Sequence, residues 1–109
     1  MSYLDDKESL ALKAMNDNTI LKLVSLFKAV GDETRLKIVM ALLVEHELSV
    51  GQIATMLNMS DSAVSHQLAL LKLKNLVTKR RNGLHSMYKL SDEHVEKVLA
   101  IALEHALED

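Results

Sequence analysis

The stretch SVGQIATMLNMSDSAVSHQLALLKLKNLV (49–77), followed by TKRRNGLHSMYKL (78–90), decides the fold of this chain. Ser49 is an N-cap for a short helix running through Gln52 to Leu57, because its hydroxyl can accept a backbone N–H that the first turn leaves unpaired. Asn58, Met59 and Ser60 make a turn, and Ser60 or Asp61 caps a second helix from about Ser62 to Lys74. Val64, Leu68 and Leu71 form the inward side of that helix, with Leu73 as a fourth candidate. Two short helices joined by three or four residues have the lengths of a helix-turn-helix. The period then changes from helical to alternating around Asn82-Gly83, a strong signal for a tight hairpin turn. With those two residues at its centre, Arg81 pairs with Leu84, Lys79 with Ser86 and Val77 with Tyr88, which makes a two-stranded wing with a basic tip.

Upstream, residues 5–15 read as a short helix broken at Asn16-Asp17-Asn18, where side chains compete for the backbone. Ile20, Leu23, Val24 and Phe27 keep helical spacing until Gly31 stops the helix. Asp32 caps the next one, whose apolar side is Leu36, Ile38, Val39, Leu42 and Leu43. Downstream, residues 92–108 return to helix with a stripe of Val95, Val98, Leu99, Ala102 and Ala106. The organisation expected is an N-terminal arm or short helix over 1–17 and a reading domain over 18–109.

Composition agrees with a mainly α protein carrying a small β-hairpin. Proline and cysteine are absent, glycine occurs 3 times in 109 residues, and helix formers dominate. Without cysteine there are no disulfides, no thiolate catalysis and no Cys-based metal site. No apolar run approaches the roughly 18 residues that span a bilayer, and the polar, acidic start is unlike a secretory leader, so a cytoplasmic location is expected.

The net charge of −2 conceals a partition. Residues 1–61 carry −3 and residues 92–109 carry −5. Residues 62–91 carry +6, with Lys72, Lys74, Lys79, Arg80, Arg81 and Lys89 and no acid. A polyanion is drawn to that middle block and repelled by the C-terminal one. Within the block, Ser62, Ser65, His66 and Gln67 lie in the first turns of the second helix, where side chains that donate or accept hydrogen bonds can reach base edges in a major groove. Lys79, Arg80 and Arg81 suit phosphates or the adjacent minor groove. Ser49 and Gln52, at the start of the preceding helix, suit contacts to the DNA backbone.

The stretch from Ser49 through the hairpin, with LFKAVGDETRLKIVMALL (26–43) before it, resembles the ArsR/SmtB family of metal-responsive repressors over about residues 18–108. The resemblance implies a winged helix-turn-helix homodimer and no enzymatic activity. It also implies an apo form that holds double-stranded operator DNA, released by metal, with no membrane partner and no small organic substrate. Family members that sense soft metals through cysteines have no counterpart here, since those residues are lacking.

The last helix carries Asp92 and His94 near its start and His105 and Glu108 near its end. The two histidines are three turns apart, on one face to within roughly 20° but about 16 Å apart along the axis, too far to share one ion. An antiparallel copy of the helix changes this. Positions 94 and 105 have their midpoint at 99.5 and positions 92 and 108 at 100. A single register therefore brings Asp92 and His94 of one chain to His105 and Glu108 of the other, twice by symmetry. Two imidazoles and two carboxylates suit tetrahedral Zn(II), two ions per dimer, with Co(II) as substitute. The same residue types resemble the family's zinc site on its C-terminal helix. The alternative expectation is a winged-helix regulator that answers to nickel or cobalt, or to no metal.

Overall fold

The computed structural model describes residues 7–108; the first part of the expected N-terminal arm lies outside them. Helix α1 (Lys7–Ala14) is followed by α2 (Asp17–Val30) and α3 (Glu33–Glu45). Asn16 caps α2, its Oδ1 accepting from the backbone of Asn18 at 2.9 Å and Thr19 at 3.4 Å. The helix ends where the Gly31 N–H meets the Phe27 carbonyl at 2.8 Å. A Cβ on Gly31 would stand 2.8 Å from that same oxygen, so the close approach requires glycine. Asp32 then caps α3 through the Arg35 N–H.

Strand β1 (Leu48–Ser49) leads into α4 (Val50–Leu57) and α5 (Asp61–Leu73). The start of α4 is a reciprocal capping box: Ser49 Oγ accepts from the Gln52 backbone, and Gln52 Oε1 accepts from the Ser49 backbone. Asn58 closes α4 in the left-handed conformation at φ 54°, and Ser60 caps α5. The hairpin β2 (Val77–Asn82) and β3 (His85–Leu90) precedes the last helix, α6 (Glu93–Leu107).

The core joins Ile38, Val39 and Leu42 of α3, Ile53 of α4, Val64, Leu68 and Leu71 of α5, Val77 and Leu90 of the hairpin, and Leu99 of α6. Burying each of these larger side chains contributes about 1.5–3 kcal/mol. That core locks the two helices of the helix-turn-helix against α3 and leaves one face of α5 in solvent.

Four expectations are corrected. The hairpin pairs Asn82 with His85, Arg81 with Ser86, Lys79 with Tyr88 and Val77 with Leu90, two residues away from the expected register. Gly83 and Leu84 occupy the turn, Gly83 with φ +64°. A slip of two preserves which face each side chain takes, and it places buried Leu90 opposite buried Val77. The sheet also has a third strand, in the order β1-β3-β2, because Leu48 and Ser49 pair with Tyr88 and Met87. Leu73 is 73% exposed rather than inward, since α5 has reached its last turn and the core is already closed by Leu71. Leu36 of α3 is likewise exposed, and Ala41 takes a place in the core.

Candidate nucleic-acid interface and metal-binding face

Helix α5 buries Val64, Leu68 and Leu71, which fixes its rotation and turns Ser62, Ser65 and His66 to solvent. Gln67 is only half exposed, and its Oε1 accepts a hydrogen bond from Arg35 Nη1 at 3.2 Å. An open cleft of about 1010 Å³ runs from the N-terminus of α4 past α5 to the tip of the wing, bringing together Ser49, Gln52, Ser65 and His85. Ser49 and Gln52 use their side-chain oxygens as acceptors in the capping box, which leaves the Ser49 hydroxyl hydrogen and the Gln52 amide nitrogen as donors.

On β2, Lys79 and Arg81 share the face of Val77, and Arg80 takes the opposite face. The wing tip is unusual in carrying Leu84, 92% exposed, beside His85. Arg80 is not a free cation. Its Nε donates to Glu47 Oε2 at 2.7 Å and its Nη2 to Glu47 Oε1 at 2.6 Å, a two-pronged guanidinium–carboxylate pair. That hydrogen bond, with the Arg80 charge and that of Lys89, holds the Glu47 carboxyl below its ordinary range, and Glu47 in turn raises the Arg80 guanidinium. Glu47 is presented by a tight turn: the Glu47 N–H donates to the Glu45 carbonyl at 2.9 Å, and His46 between them has φ 70° and ψ −49°. These are the angles of the rare γ-turn with positive φ, a strained conformation for a residue with a side chain.

Helix α6 anchors through Leu99, with Val95 half-buried beside it. Its opposite side is open: His94, Val98 (51% exposed), Ile101 (65% exposed), His105 and Glu108 all face solvent. These five recur at alternating steps of four and three, the spacing of a seam between two packed helices. The stripe read from sequence (Val95, Val98, Leu99, Ala102 and Ala106) mixes the buried side with this one. Beneath the seam, Leu26, Phe27 and Val30 of α2 enclose an apolar cavity of about 110 Å³ with His94, Val95, Val98 and Leu99. On α2 itself Ile20, Leu23, Val24 and Phe27 remain exposed at helical spacing.

Asp92 caps α6, its Oδ1 accepting from the Val95 N–H at 3.0 Å, which leaves Oδ2 for another partner. His105 Nδ1 lies 3.8 Å from Glu108 Oε2 one turn on. Among the described residues no three His, Cys, Asp or Glu side chains of one chain converge as metal ligands. The structure thus brings His105 and Glu108 together at the end of α6, while Asp92 and His94 stand at its start. No helix among the described residues is long and apolar enough to cross a membrane.

Two residues escaped the sequence reading. Glu47 pairs across 33 positions and leaves no local trace. Arg35 leaves one: a cation in the first turn of α3 opposes the helix dipole, so it signals a specific partner elsewhere.

The sequence pattern of "Bacterial regulatory protein, arsR family" matches residues 32–79, from the cap of α3 into the wing. The chain is 35% identical over 104 residues to the cadmium resistance transcriptional regulatory protein CadC homolog of Staphylococcus aureus, covering 95% of this chain and 86% of the relative. It is 32% identical over 106 residues to the transcriptional repressor SmtB homolog of Synechocystis sp., covering 97% and 80%. The homodimeric winged helix-turn-helix DNA-binding domain of a Mycobacterium bovis protein, solved in solution, superposes with a TM-score of 0.74 at 27% identity, covering 97% of this chain and 90% of that one. These relatives are non-enzymatic, DNA-binding regulators built on the helices and wing described above, and the chain belongs to the ArsR/SmtB family of bacterial transcription regulators.

Proposed function

We propose that the chain represses transcription by binding operator DNA as a metal-free homodimer, and that Zn(II) held between the two α6 helices releases it. The observation that carries this reading is the exposed seam His94–Val98–Ile101–His105–Glu108. In an antiparallel pair centred between Leu99 and Ala100, Val98 meets Ile101 of the second copy in the middle and His94 meets His105 at each end. The apolar centre gives the helices a reason to pack, and the donors gather only when they do.

The donor set fits the ion. Two neutral imidazoles and two carboxylates supply the nitrogen and oxygen ligands that Zn(II) accepts, and Co(II) is the natural substitute. Asp92 can serve through Oδ2 while its other oxygen keeps the helix cap. The relative named for cadmium resistance does not move the assignment to cadmium, since this chain has no cysteine to offer a soft thiolate. Bound at both ends of the seam, two ions per dimer, zinc supplies a cross-link between the α6 helices. Leu99 and Val95 tie α6 to the core and to α2, so fixing the angle between the α6 helices fixes the spacing of the two reading helices.

On DNA, Ser62, Ser65 and His66 face the major groove, Lys79 and Arg81 meet phosphates or the neighbouring minor groove, and Ser49 and Gln52 touch the DNA backbone. Arg80 contributes less charge because Glu47 already compensates it, and Gln67, its oxygen held by Arg35, stands apart from Ser62, Ser65 and His66. By linkage, operator DNA weakens zinc binding by the same factor that zinc weakens DNA binding, typically 5–150-fold.

Fluorescence anisotropy on the operator from the chain's own promoter tests the reading, with and without zinc, cobalt and nickel. Zinc should weaken binding at least fivefold in the wild type and have no effect on His94→Ala/His105→Ala. An isotherm that saturating zinc leaves unchanged removes the metal response; absence of salt-dependent duplex binding removes the DNA reading as well.

A further inference from the structure

We infer that Gln67 positions the reading helix instead of reading a base, and that Arg35 is the residue that holds it, forming a polar strut between α2 and α5. Arg35 sits in the first turn of α3 with its side chain 21% exposed. Its Nε donates to the Ala29 carbonyl at 2.6 Å and its Nη2 to the Lys28 carbonyl at 3.4 Å, both in the last turn of α2. Those carbonyls form the negative end of the α2 dipole and lack partners within the helix, so a guanidinium is well placed there. Asp32, 4.0 Å away, balances the charge. The remaining prong, Nη1, reaches Gln67 Oε1 at 3.2 Å.

Among the described residues this is the one side-chain hydrogen bond that ties α5 to another element. Its position matters because an open groove of about 440 Å³, lined by Leu21, Val24, Ala29, Arg35, Leu70 and Lys74, runs beside it.

The chemistry of Gln67 points the same way. Arginine has only donors, so the oxygen of the amide must face it. Two-pronged recognition of adenine by glutamine uses that oxygen and the nitrogen together, and the oxygen here is turned back toward α2. Ser62, Ser65 and His66 project into solvent, whereas Gln67 is half covered.

The inference rests on the reading that α5 is the element entering the groove, and the test separates the two. Operator variants with each base pair beneath α5 changed in turn are titrated with apo wild type, Gln67→Met and Arg35→Lys. Lysine retains the charge but loses the fork that serves three acceptors. Both variants should weaken binding by a similar factor, roughly fivefold or more as for loss of a charge-assisted hydrogen bond. The loss should be uniform across the series, with the ranking of base pairs unchanged. A Gln67→Met protein that loses discrimination at one base pair, while Arg35→Lys keeps it, makes Gln67 a base reader and overturns the inference. A double-mutant cycle of Arg35→Met and Gln67→Met, followed by urea unfolding of the free protein at fixed concentration, needs no DNA. Non-additive losses support the strut even where no operator binding is found, and strictly additive ones overturn it.

Discussion

The reading half of the molecule and its α2–α6 face use similar apolar residues to opposite ends. In α3, α4, α5 and the hairpin the large side chains are spent inside one chain: Ile38, Ile53, Val64, Leu68 and Leu71 are fully buried. On α6 only Leu99 is buried, while Val98 and Ile101 lie open between two histidines. The first region is finished as a monomer. On the proposed function the second is half of an interface, and a surface that closes on a second copy can be biased by whatever else binds there.

The sharpest form of that contrast comes from matched substitutions. Leu68→Ala should lower unfolding free energy by about 2–5 kcal/mol, as deletions from close-packed cores do. Ile101→Glu should leave the fold of the chain intact by circular dichroism, since the residue is 65% exposed, and instead abolish the dimer in sedimentation. A large loss of helicity in Ile101→Glu, or a dimer that survives it, would erase the distinction between the two regions.

The next largest effect uses the two-fold arrangement. His94→Ala and His105→Ala homodimers should each bind zinc more than about a hundredfold more weakly, beyond what loss of a supporting outer-shell residue costs. Mixed and re-equilibrated, they should regain tight binding of one ion per heterodimer, because one end of the seam then holds both wild-type histidines and the other holds neither. Isothermal titration of the mixture reads this directly. Sites confined to single chains show no rescue.

The two halves also differ in how far the sequence revealed them. Helices were legible because caps are local: Asn16, Asp32, Ser49 and Ser60 each bond to a backbone group two or three residues on. The helix-turn-helix followed from those caps and the 3.6 period. Strand β1 was not legible, since its two residues acquire their conformation from Tyr88 and Met87, some forty positions away. The hairpin register failed by two for a related reason. Turn propensity favoured Asn82-Gly83 at the centre, but burial of Leu90 against Val77 outweighed it. The candidate donors of α6 were proposed from their spacing, whereas the exposed apolar residues between them were not, because periodicity does not say which side of a two-sided helix the rest of the chain will cover.

Within the reading half, charge should sort the wing. If Lys79 and Arg81 each meet one phosphate per protomer as proposed, truncating either to alanine should lessen the slope of log affinity against log salt by about 2 for a dimer. Arg80→Ala should lessen it by clearly less, and Glu47→Gln should raise operator affinity severalfold at low salt, since Arg80 is then released from its carboxylate. Equal slopes for all three cations would mean that Glu47 gives Arg80 up on binding.

The smallest effect concerns pH and the same pair. Glu47 is shifted down by the hydrogen bond from Arg80, so its contribution is complete above the ordinary glutamate range, about pH 5 and higher, and is lost as pH falls through the lowered folded value. Arg80 is shifted up, so its contribution is complete below its ordinary value and disappears only in strong alkali. The latch should therefore be constant across the neutral range and open only in acid. The pair is exposed at the surface, so opening it should move the wing and leave the fold standing. The amide resonances of Arg80 and Met87 should shift together as the pH falls below the ordinary glutamate range and stay fixed in Glu47→Gln. A wing that titrates in the Gln variant as well would place the responsible carboxyl elsewhere and leave the strained turn at His46 without the role its geometry suggests.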